Sequence, residues 1–308
     1  MKTILYLNHQ EVRCGVYQLG AATGEALQKS LVYRFVYVEV ANSTHAYEAI
    51  DACQPAAIIC NWHPSTMGWL CNNVVKKFSR PIGVTCHDVP YPHIAHAHLH
   101  LDPTFPECWE RFRVRRLVPE FTPPLMDHGL EQPVIGSFGF GFGNKGFERL
   151  VQRVNAEFTA ATVRLHIAGA SFGDPNGTSA RAVAERCLRM CKPGISLVAS
   201  HEFMTRVELL NWLACNSINC FFYDVMYGRG VSSVIDLALA VQRPIAITQS
   251  WMFRHLMNAK QEISIECRDL KDILAGGDAP LIPYRNDWNA ANVVSDYERV
   301  ADFLTKQQ

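Results

Sequence analysis

The feature that most constrains the fold is a regular alternation of short apolar runs with longer amphipathic segments. In the first part of the chain the apolar runs cover residues 3–7, 33–40, 56–60 and 82–86. Short runs without polar alternation are typical of strands that are covered on both faces, as in parallel sheets. The segments between them, residues 16–29, 44–53 and 68–78, have the spacing of helices. This order predicts a doubly wound α/β domain.

The same pattern starts again after a proline-rich stretch. Between His87 and Pro133 the periodicity fades, and Pro, Gly and charged residues cluster at 127–133, where we place a domain boundary. The second half predicts strands at 134–139, 163–169, 195–200, 220–223 and 244–248. Its predicted helices cover 146–157, 179–191, 205–215 and 232–241. The chain therefore predicts two α/β domains, 1–130 and 131–287, and a final amphipathic helix, 288–304, within a C-terminal segment of residues 288–308.

Charge and cysteine usage exclude several classes of protein. Lys+Arg and Asp+Glu number 29 each, so no net field favours nucleic acid. The 11 cysteines form no C-x-x-C pair, which disfavours a zinc site or a redox motif and fits a reducing compartment. The opening residues have too short an apolar run for a signal peptide. No run approaches the ~20 apolar residues that span a bilayer. We expect a cytoplasmic protein, at most peripheral to the inner face of a membrane.

The most informative motif is a glycine-rich segment between a predicted strand and a predicted helix. Gly141, Gly143 and Gly146 form G-x-G-x-x-G, and Asn144 and Lys145 lie inside it. Glycines let backbone N–H groups approach an anion, and a helix N-terminus favours negative charge. The structural alternative is a glycine turn with a solvated lysine.

Two familiar phosphate motifs fit this segment poorly. A dinucleotide fingerprint needs an acid about 20 residues on, at the end of the next strand. The first acid after that strand is Asp174. A P-loop needs Ser or Thr after the lysine, whereas Gly146 follows Lys145. The segment therefore predicts a phosphate site of another kind.

A second polar cluster precedes the predicted helix 232–241. It comprises Tyr227, Gly228, Arg229, Gly230, Val231, Ser232, Ser233 and Asp236. A glycine turn before a helix suits an anion or sugar hydroxyls, with Arg229 and the serines as donors. Asp236 is placed to accept from a hydroxyl pair. Its structural alternative is a first-turn acid that complements the helix dipole.

The order of these segments resembles glycosyltransferase family 4 and the wider GT-B superfamily, over nearly the whole chain. ILYLNHQEVRCGVYQLG resembles the family's opening strand and glycine loop, with Gly15 at the loop glycine. PIGVTCHD resembles the strand that ends in a histidine, here His87. FGFGFGNKG resembles the G-R…K-G element, and LHIAGAS the next strand. HEFMTRVELLNWLA resembles the base-side loop and helix, and GRGVSSVIDLALAVQRPIAIT the E-G-F-G…E-A-x-A-x-G-x-P segment.

The chain departs from that family at the donor site. Phe140 stands where the family has its phosphate arginine. The family's paired glutamates are absent: the nearest positions hold Tyr227 or Arg229, and Asp236 or Leu237. Either Asp236 replaces the glutamate that holds the ribose, or donor binding is rearranged around Arg229. The run SWMFRHL resembles a branch of bacterial glycosyltransferases found with surface-polysaccharide genes.

The resemblance implies a GT-B architecture, with two Rossmann-like domains facing a central cleft and the C-terminal helix crossing back to the first domain. It implies a retaining transfer of a sugar from a nucleotide-sugar to a saccharide, lipid or small-molecule acceptor. No metal and no cofactor besides the nucleotide-sugar co-substrate are expected. The expected catalytic residues are His87, Lys145 and Arg229. His87 is also compatible with a capping role at its strand end. Donor contacts are expected from Gly15, Gly143, Asn144 and Lys145, and from Tyr227, Gly228, Arg229, Gly230, Val231, Ser232, Ser233 and Asp236.

Two other functions use the same donor site. A GT-B nucleotide-sugar epimerase would need carboxylates in the cleft for proton transfer, and the sequence offers few. A non-catalytic nucleotide-sugar-binding relative would explain the missing glutamates.

Two further runs have structural alternatives. His93, His96, His98 and His100 alternate like a metal tract, but Asp102 is the single neighbouring acid, so we expect no metal. The run Arg111, Arg113, Arg115 and Arg116 is interleaved with aromatic residues. It fits a solvated strand edge as well as contact with a phosphate-bearing acceptor or an anionic lipid surface.

Overall fold

The computed structural model describes residues 1–87, 90–124 and 132–307, which form two compact units. The N-terminal unit comprises Met1–Pro119, Gly228–Val231 and Asp287–Gln308. The C-terminal unit comprises Glu120–Tyr227 and Ser232–Asn286. Most of the region where the sequence places the domain boundary, 127–133, lies outside the described residues.

The N-terminal unit contains a parallel sheet of six strands in the order β2-β1-β3-β4-β5-β6. The strands are β1 (Thr3–Asn8), β2 (Arg34–Glu39), β3 (Ala57–Trp62), β4 (Ile82–Cys86), β5 (Ala97–His100) and β6 (Arg111–Arg113). Every residue of β3 and β4 is buried, as expected for strands covered on both faces. The crossover helices are α1 (Gly15–Leu27), α2 (Ser43–Cys53) and α3 (Asn72–Lys77).

The C-terminal unit repeats this plan with five parallel strands in the order β11-β10-β7-β8-β9. The strands are β7 (Val134–Phe140), β8 (Ala161–Ala168), β9 (Ile195–Ser200), β10 (Ile218–Phe221) and β11 (Ile245–Ile247). The helices are α4 (Phe147–Glu157), α5 (Thr178–Met190), α6 (Arg206–Ala214), α7 (Val234–Ala240), α8 (Lys260–Ile263), α9 (Leu270–Gly276) and α10 (Ile282–Asp287). Three 3-10 segments complete it, Gly143–Lys145, Trp251–Ala259 and Ala279–Leu281.

The last helix, α11 (Ala290–Leu304), belongs to the N-terminal unit. Asn289 caps it by accepting a hydrogen bond from the backbone N–H of Asn292 at 2.9 Å. Its apolar face, which includes Val293, Tyr297 and Leu304, lies in the same core as the inner residues of β1 and α1. The periodic burial of this face is what places the helix on the sheet.

Within residues 1–87, 90–124 and 132–307, none of the helices combines the length and the apolar composition that a membrane crossing requires.

Candidate functional site

The strand order of the N-terminal unit changes direction between β1 and β3. In open parallel sheets, ligands bind beyond the carboxyl ends of the strands at such a switch point. Polar side chains occupy that edge: Asn8 ends β1, Asn61 is the last but one residue of β3, and His87 follows β4 directly. The same register that buries the apolar residues of these strands therefore brings three polar side chains to one edge.

Hydrogen bonds join these three residues into one buried chain. The Asn61 amide nitrogen donates to Asn8 Oδ1 at 2.9 Å, and Asn61 Oδ1 lies 2.7 Å from His87 Nε2. Asn8 and Asn61 are both almost fully buried, whereas His87 is half-buried. His87 is thus held by the sheet itself.

The start of α1 is tied to the same chain. Gly15 is the first residue of the helix, and the carbonyls of Val16 and Tyr17 accept from the amide groups of Asn61 and Asn8 at 2.9 and 3.1 Å. Asn61 therefore links His87 to the first turn of α1, the helix that begins at the predicted residue Gly15.

A tyrosine pair with one carboxylate borders this assembly. The hydroxyls of Tyr17 and Tyr37 both donate to Glu39 Oε1, at 2.7 and 2.9 Å. Burial and the hydrogen bond to Glu39 raise the pKa of Tyr17 to about 12. Burial and the nearby charge of His63 lower the pKa of His9 to about 4. At neutral pH, Tyr17 and His9 are therefore both uncharged.

The switch point of the C-terminal unit lies between β7 and β10, and the predicted glycine segment follows β7 there. Two of its glycines are required by packing. A Cβ on Gly141 would lie 2.4 Å from the backbone nitrogen of Ala180. One on Gly146, which has a positive φ of 68°, would lie 1.8 Å from the Phe222 carbonyl oxygen. A Cβ on Gly143 would meet nothing within 4 Å. Gly143 is therefore the glycine that packing does not explain.

The 3-10 turn Gly143–Lys145 brings Lys145 against the segment that follows β10. Lys145 Nζ lies 3.9 Å from the ring centroid of Tyr223, a cation–π contact. The Asn144 carbonyl accepts from the backbone N–H of Asp224 at 3.0 Å, and the Asn144 amide donates to Met226 Sδ at 2.8 Å. Among the described residues, no carboxylate forms an ion pair with Lys145. Its charge is positioned by an aromatic ring and stays available to an anion.

The second predicted cluster is divided between the two units. Gly228–Val231, with the exposed Arg229, group with the N-terminal unit, whereas Tyr227 and the residues from Ser232 onward group with the C-terminal unit. Tyr227 is exposed, and its ring lies 6.0 Å from that of Trp251.

Helix α7 begins at Val234, two residues later than the sequence predicts, and has seven residues. The backbone N–H of Ser232 donates to the Met252 carbonyl at 2.9 Å, so this amide is already engaged. Ser233 is the N-cap residue and makes no side-chain capping bond. Asp236 is buried in the first turn. Arg229 therefore presents an exposed guanidinium in the N-terminal unit, and Asp236 is a buried carboxylate in the C-terminal unit.

The histidine tract is incorporated into the packing of β5. The Ile82 N–H donates to His96 Nδ1 at 3.1 Å, and the His100 ring stacks on Phe105 at 3.8 Å. Burial lowers the pKa of His100 to about 4 and also lowers that of His98. In the part of the chain that the structure describes, no group of three or more His, Cys, Asp or Glu side chains is arranged to hold a metal.

The arginine run lies on the edge strand β6 and the segment after it. Arg113 and Arg299 pair with Glu107, and Arg115 pairs with Asp287 and Asp296. Charged side chains on an edge strand discourage pairing with another chain. The exposed Arg111 and Arg113 fit the strand-edge interpretation of this run, whereas Arg116 is buried.

Sequence reasoning missed Asn8, Asn61 and Tyr223. Asn8 and Asn61 had a usable signal, because each is an isolated polar residue at the end of an otherwise apolar strand. Tyr223 had none, since an aromatic residue in an apolar run predicts core packing.

No protein-family model and no curated protein matches the sequence. Solved structures do match over the whole chain. HepE from Anabaena, in complex with UDP and glucose, is 10% identical with a TM-score of 0.67, covering 99% of this chain and 100% of HepE. Sucrose-phosphate synthase from Thermosynechococcus elongatus is 11% identical with a TM-score of 0.71, covering both chains completely. A glycosyltransferase from Rickettsia africae is 12% identical with a TM-score of 0.69, covering 100% of this chain and 99% of that one.

The chain has the GT-B fold.

This confirms the fold class that the sequence analysis expects, whereas the domain bounds 1–130 and 131–287 stay a prediction. At such identities the GT-B likeness concerns the fold, and the site must be argued from the residues.

Proposed function

We propose that this GT-B chain is a glycosyltransferase that takes its sugar from a nucleotide-sugar. The proposal rests mainly on the position of Lys145, which lies on a glycine turn open to solvent at the switch point of the C-terminal sheet. Among the described residues, Lys145 has no carboxylate partner. The proposal is supported by the fold, which this chain shares with HepE, solved with UDP and with UDP-glucose.

The chemistry needs stabilisation of a diphosphate leaving group that carries about two negative charges. Preorganised cations and amides supply it at no reorganisation cost when the glycosidic bond breaks. In the proposal Lys145 and the turn of Gly143 and Asn144 bind the diphosphate, and Arg229 supplies a second cation in place of the arginine replaced by Phe140. Asp236 accepts from the ribose hydroxyls.

The proposed transfer is retaining and uses neither a metal ion nor a fixed enzyme nucleophile, as the resemblance to glycosyltransferase family 4 implies. The departing phosphate takes the proton of the acceptor hydroxyl on the same face of the sugar. His87 hydrogen-bonds the sugar or the charge that develops on it. The acceptor is a saccharide, a lipid or a small molecule, and Gly15 lies at the start of the helix that borders it.

The test is a panel of nucleotide-sugars, UDP-glucose first, scored by thermal shift and then by release of nucleoside diphosphate. One nucleotide-sugar should raise the melting temperature, and the protein should release its diphosphate slowly without acceptor and faster with one. Tight binding with neither hydrolysis nor transfer would favour the non-catalytic relative. Conversion of the bound sugar into its epimer would favour the epimerase.

A further inference from the structure

The orientation of the Asn61 side chain is determined by its own hydrogen bonds. Its amide nitrogen lies 2.9 Å from two acceptors, Asn8 Oδ1 and the Val16 carbonyl oxygen. A flipped amide would place an oxygen against both acceptors, which is unfavourable. The nitrogen therefore faces α1, and the oxygen faces His87.

Asn8 is fixed in the same way, so the orientation does not rest on one residue. Asn8 Oδ1 accepts from the His9 backbone N–H at 3.0 Å, and its amide nitrogen donates to the Tyr17 carbonyl and to the Tyr37 hydroxyl. Both hydrogens of Asn8 and both hydrogens of Asn61 are used. A network in which each member is satisfied has a single low-energy arrangement.

Packing holds this network from one side. A Cβ on Gly20 of α1 would lie 2.2 Å from Asn61 Nδ2 and 2.7 Å from Asn8 Oδ1. The helix approaches the two amides closely because residue 20 is glycine, and Asn61 has no room to turn.

The orientation of Asn61 determines the tautomer of His87. Asn61 Oδ1 only accepts, and it lies 2.7 Å from His87 Nε2, so Nε2 carries a hydrogen. In the neutral ring the lone pair is then on Nδ1.

We propose that Asn61 is a positioning residue that keeps His87 in the Nε2–H tautomer and holds its ring in one orientation at the carboxyl edge of the sheet. The inference deepens the proposed function and rests on it for the identity of the substrate. A side-chain amide does here what the buried carboxylate does for histidine in hydrolytic triads, but without adding a charge. The histidine therefore keeps one tautomer.

The tautomer can be measured on the full chain without any substrate. Long-range ¹H–¹⁵N correlation spectra distinguish pyrrole-type from pyridine-type ring nitrogens, and His87→Gln identifies the His87 signals among those of the 12 histidines. At a pH where the ring is neutral, Nε2 should be pyrrole-type and Nδ1 pyridine-type. Asn61→Asp retains an acceptor for Nε2–H and should retain the pattern, with a loss of stability because its second oxygen faces Asn8 Oδ1 and the Val16 carbonyl oxygen. Asn61→Ala should lose it and show averaged shifts.

Asn216 provides a matched control in the other unit. It is also buried, its amide donates to Asn219 Oδ1 at 2.8 Å, and a Cβ on Gly136 would lie 1.9 Å from it. Asn216→Ala should cost comparable stability and leave the His87 spectrum unchanged. A pyrrole-type Nδ1 in the wild type, or an unchanged pattern in Asn61→Ala, would overturn the proposal.

Kinetics with the donor found by screening give the second readout. Asn61→Ala should lower kcat roughly 10- to 100-fold with little change in the donor KM, and Asn61→Asp should recover much of the loss. Equal loss of kcat in the two variants would mean that Asn61 is merely structural. Failure of every donor to react would contradict the proposed function alone, because the spectra report the tautomer without a donor.

Discussion

Lys145 lies over the ring of Tyr223, and the hydroxyl of that tyrosine is buried without a hydrogen-bond partner among the described residues. The ring is what positions the ammonium group, whereas the hydroxyl contributes nothing that the structure shows. An unpaired buried hydroxyl costs free energy, and its removal is nearly neutral or stabilising.

Tyr223→Phe should therefore keep donor binding and raise the free energy of unfolding, or leave it unchanged, within about 1 kcal/mol. Tyr223→Leu should lose both the cation–π contact and stability, because the leucine leaves a cavity where a large buried ring was. Urea unfolding and donor titration measure the two effects. A Tyr223→Phe variant that binds donor as poorly as Tyr223→Leu would show that the hydroxyl, not the ring, serves the site.

Arg229 is exposed, and it is the residue proposed to replace the family's phosphate arginine, whose position is occupied by Phe140. Arg229→Lys keeps the charge and loses bidentate hydrogen bonding. The expected result is a drop in kcat with a donor Kd within about threefold of the wild type. Steady-state kinetics check it. Wild-type turnover in this variant would place the leaving-group role elsewhere.

At the scale of elements, the sequence located the strands that carry the two sites, and several bounds agree to within one or two residues. β4 and β9 were predicted with their observed bounds. β5 and β6 were missed, because they have four and three residues and lie in the proline-rich stretch. Residues 260–287 had no predicted element, because helices of four to seven residues are too short to show a period.

The candidate site was predictable in part for a physical reason. Glycine turns after strands are local features, so the segment from Gly141 to Gly146 and its lysine could be found from sequence. The Asn8–Asn61–His87 chain is a product of strand order and register, which join residues 53 and 26 positions apart. No local pattern encodes such a contact.

The glycine turn gives an element-scale prediction that separates packing from ligand contact. Gly146→Ala should destabilise the C-terminal unit strongly, because the residue has a positive φ and its Cβ would meet the Phe222 carbonyl. Gly143→Ala should fold with nearly wild-type stability, since its Cβ meets no protein atom, and it should weaken nucleotide-sugar binding. Thermal unfolding and calorimetric titration measure both. Full donor affinity in Gly143→Ala would remove the turn from the proposed site.

At the scale of the whole molecule, buried neutral histidines set the response to acid. Burial lowers the pKa values of His9, His100 and His166 to about 4, against an ordinary value near 6.5. Below pH 6.5 these histidines are protonated in the unfolded chain but stay neutral in the folded chain. Their contribution to the free energy of unfolding is therefore fully present above pH 6.5 and is lost as the pH falls towards 4. Each histidine contributes at most about 3 kcal/mol to the fall.

Urea unfolding at a series of pH values tests this. His100→Gln should lose less free energy of unfolding between pH 6.5 and 4 than the wild type, because it lacks one histidine whose pKa folding lowers. An identical pH dependence in the two proteins would contradict the assignment of this effect to the buried histidine.

The central claim is that the C-terminal unit binds the diphosphate of a nucleotide-sugar at Lys145. The most direct measurement is calorimetric affinity for UDP and for uridine, or for the diphosphate and nucleoside of whichever donor the screen selects. Lys271 supplies the matched control, because its Nζ lies 5.4 Å from the ring centroid of Phe158 in the same kind of cation–π contact, at a distance from the glycine turn in the sequence. Lys145→Ala should weaken UDP binding by about 1.5–3 kcal/mol and leave uridine binding unchanged, and Lys271→Ala should change neither. Equal losses for UDP and uridine in Lys145→Ala, or no loss for either, would contradict the claim.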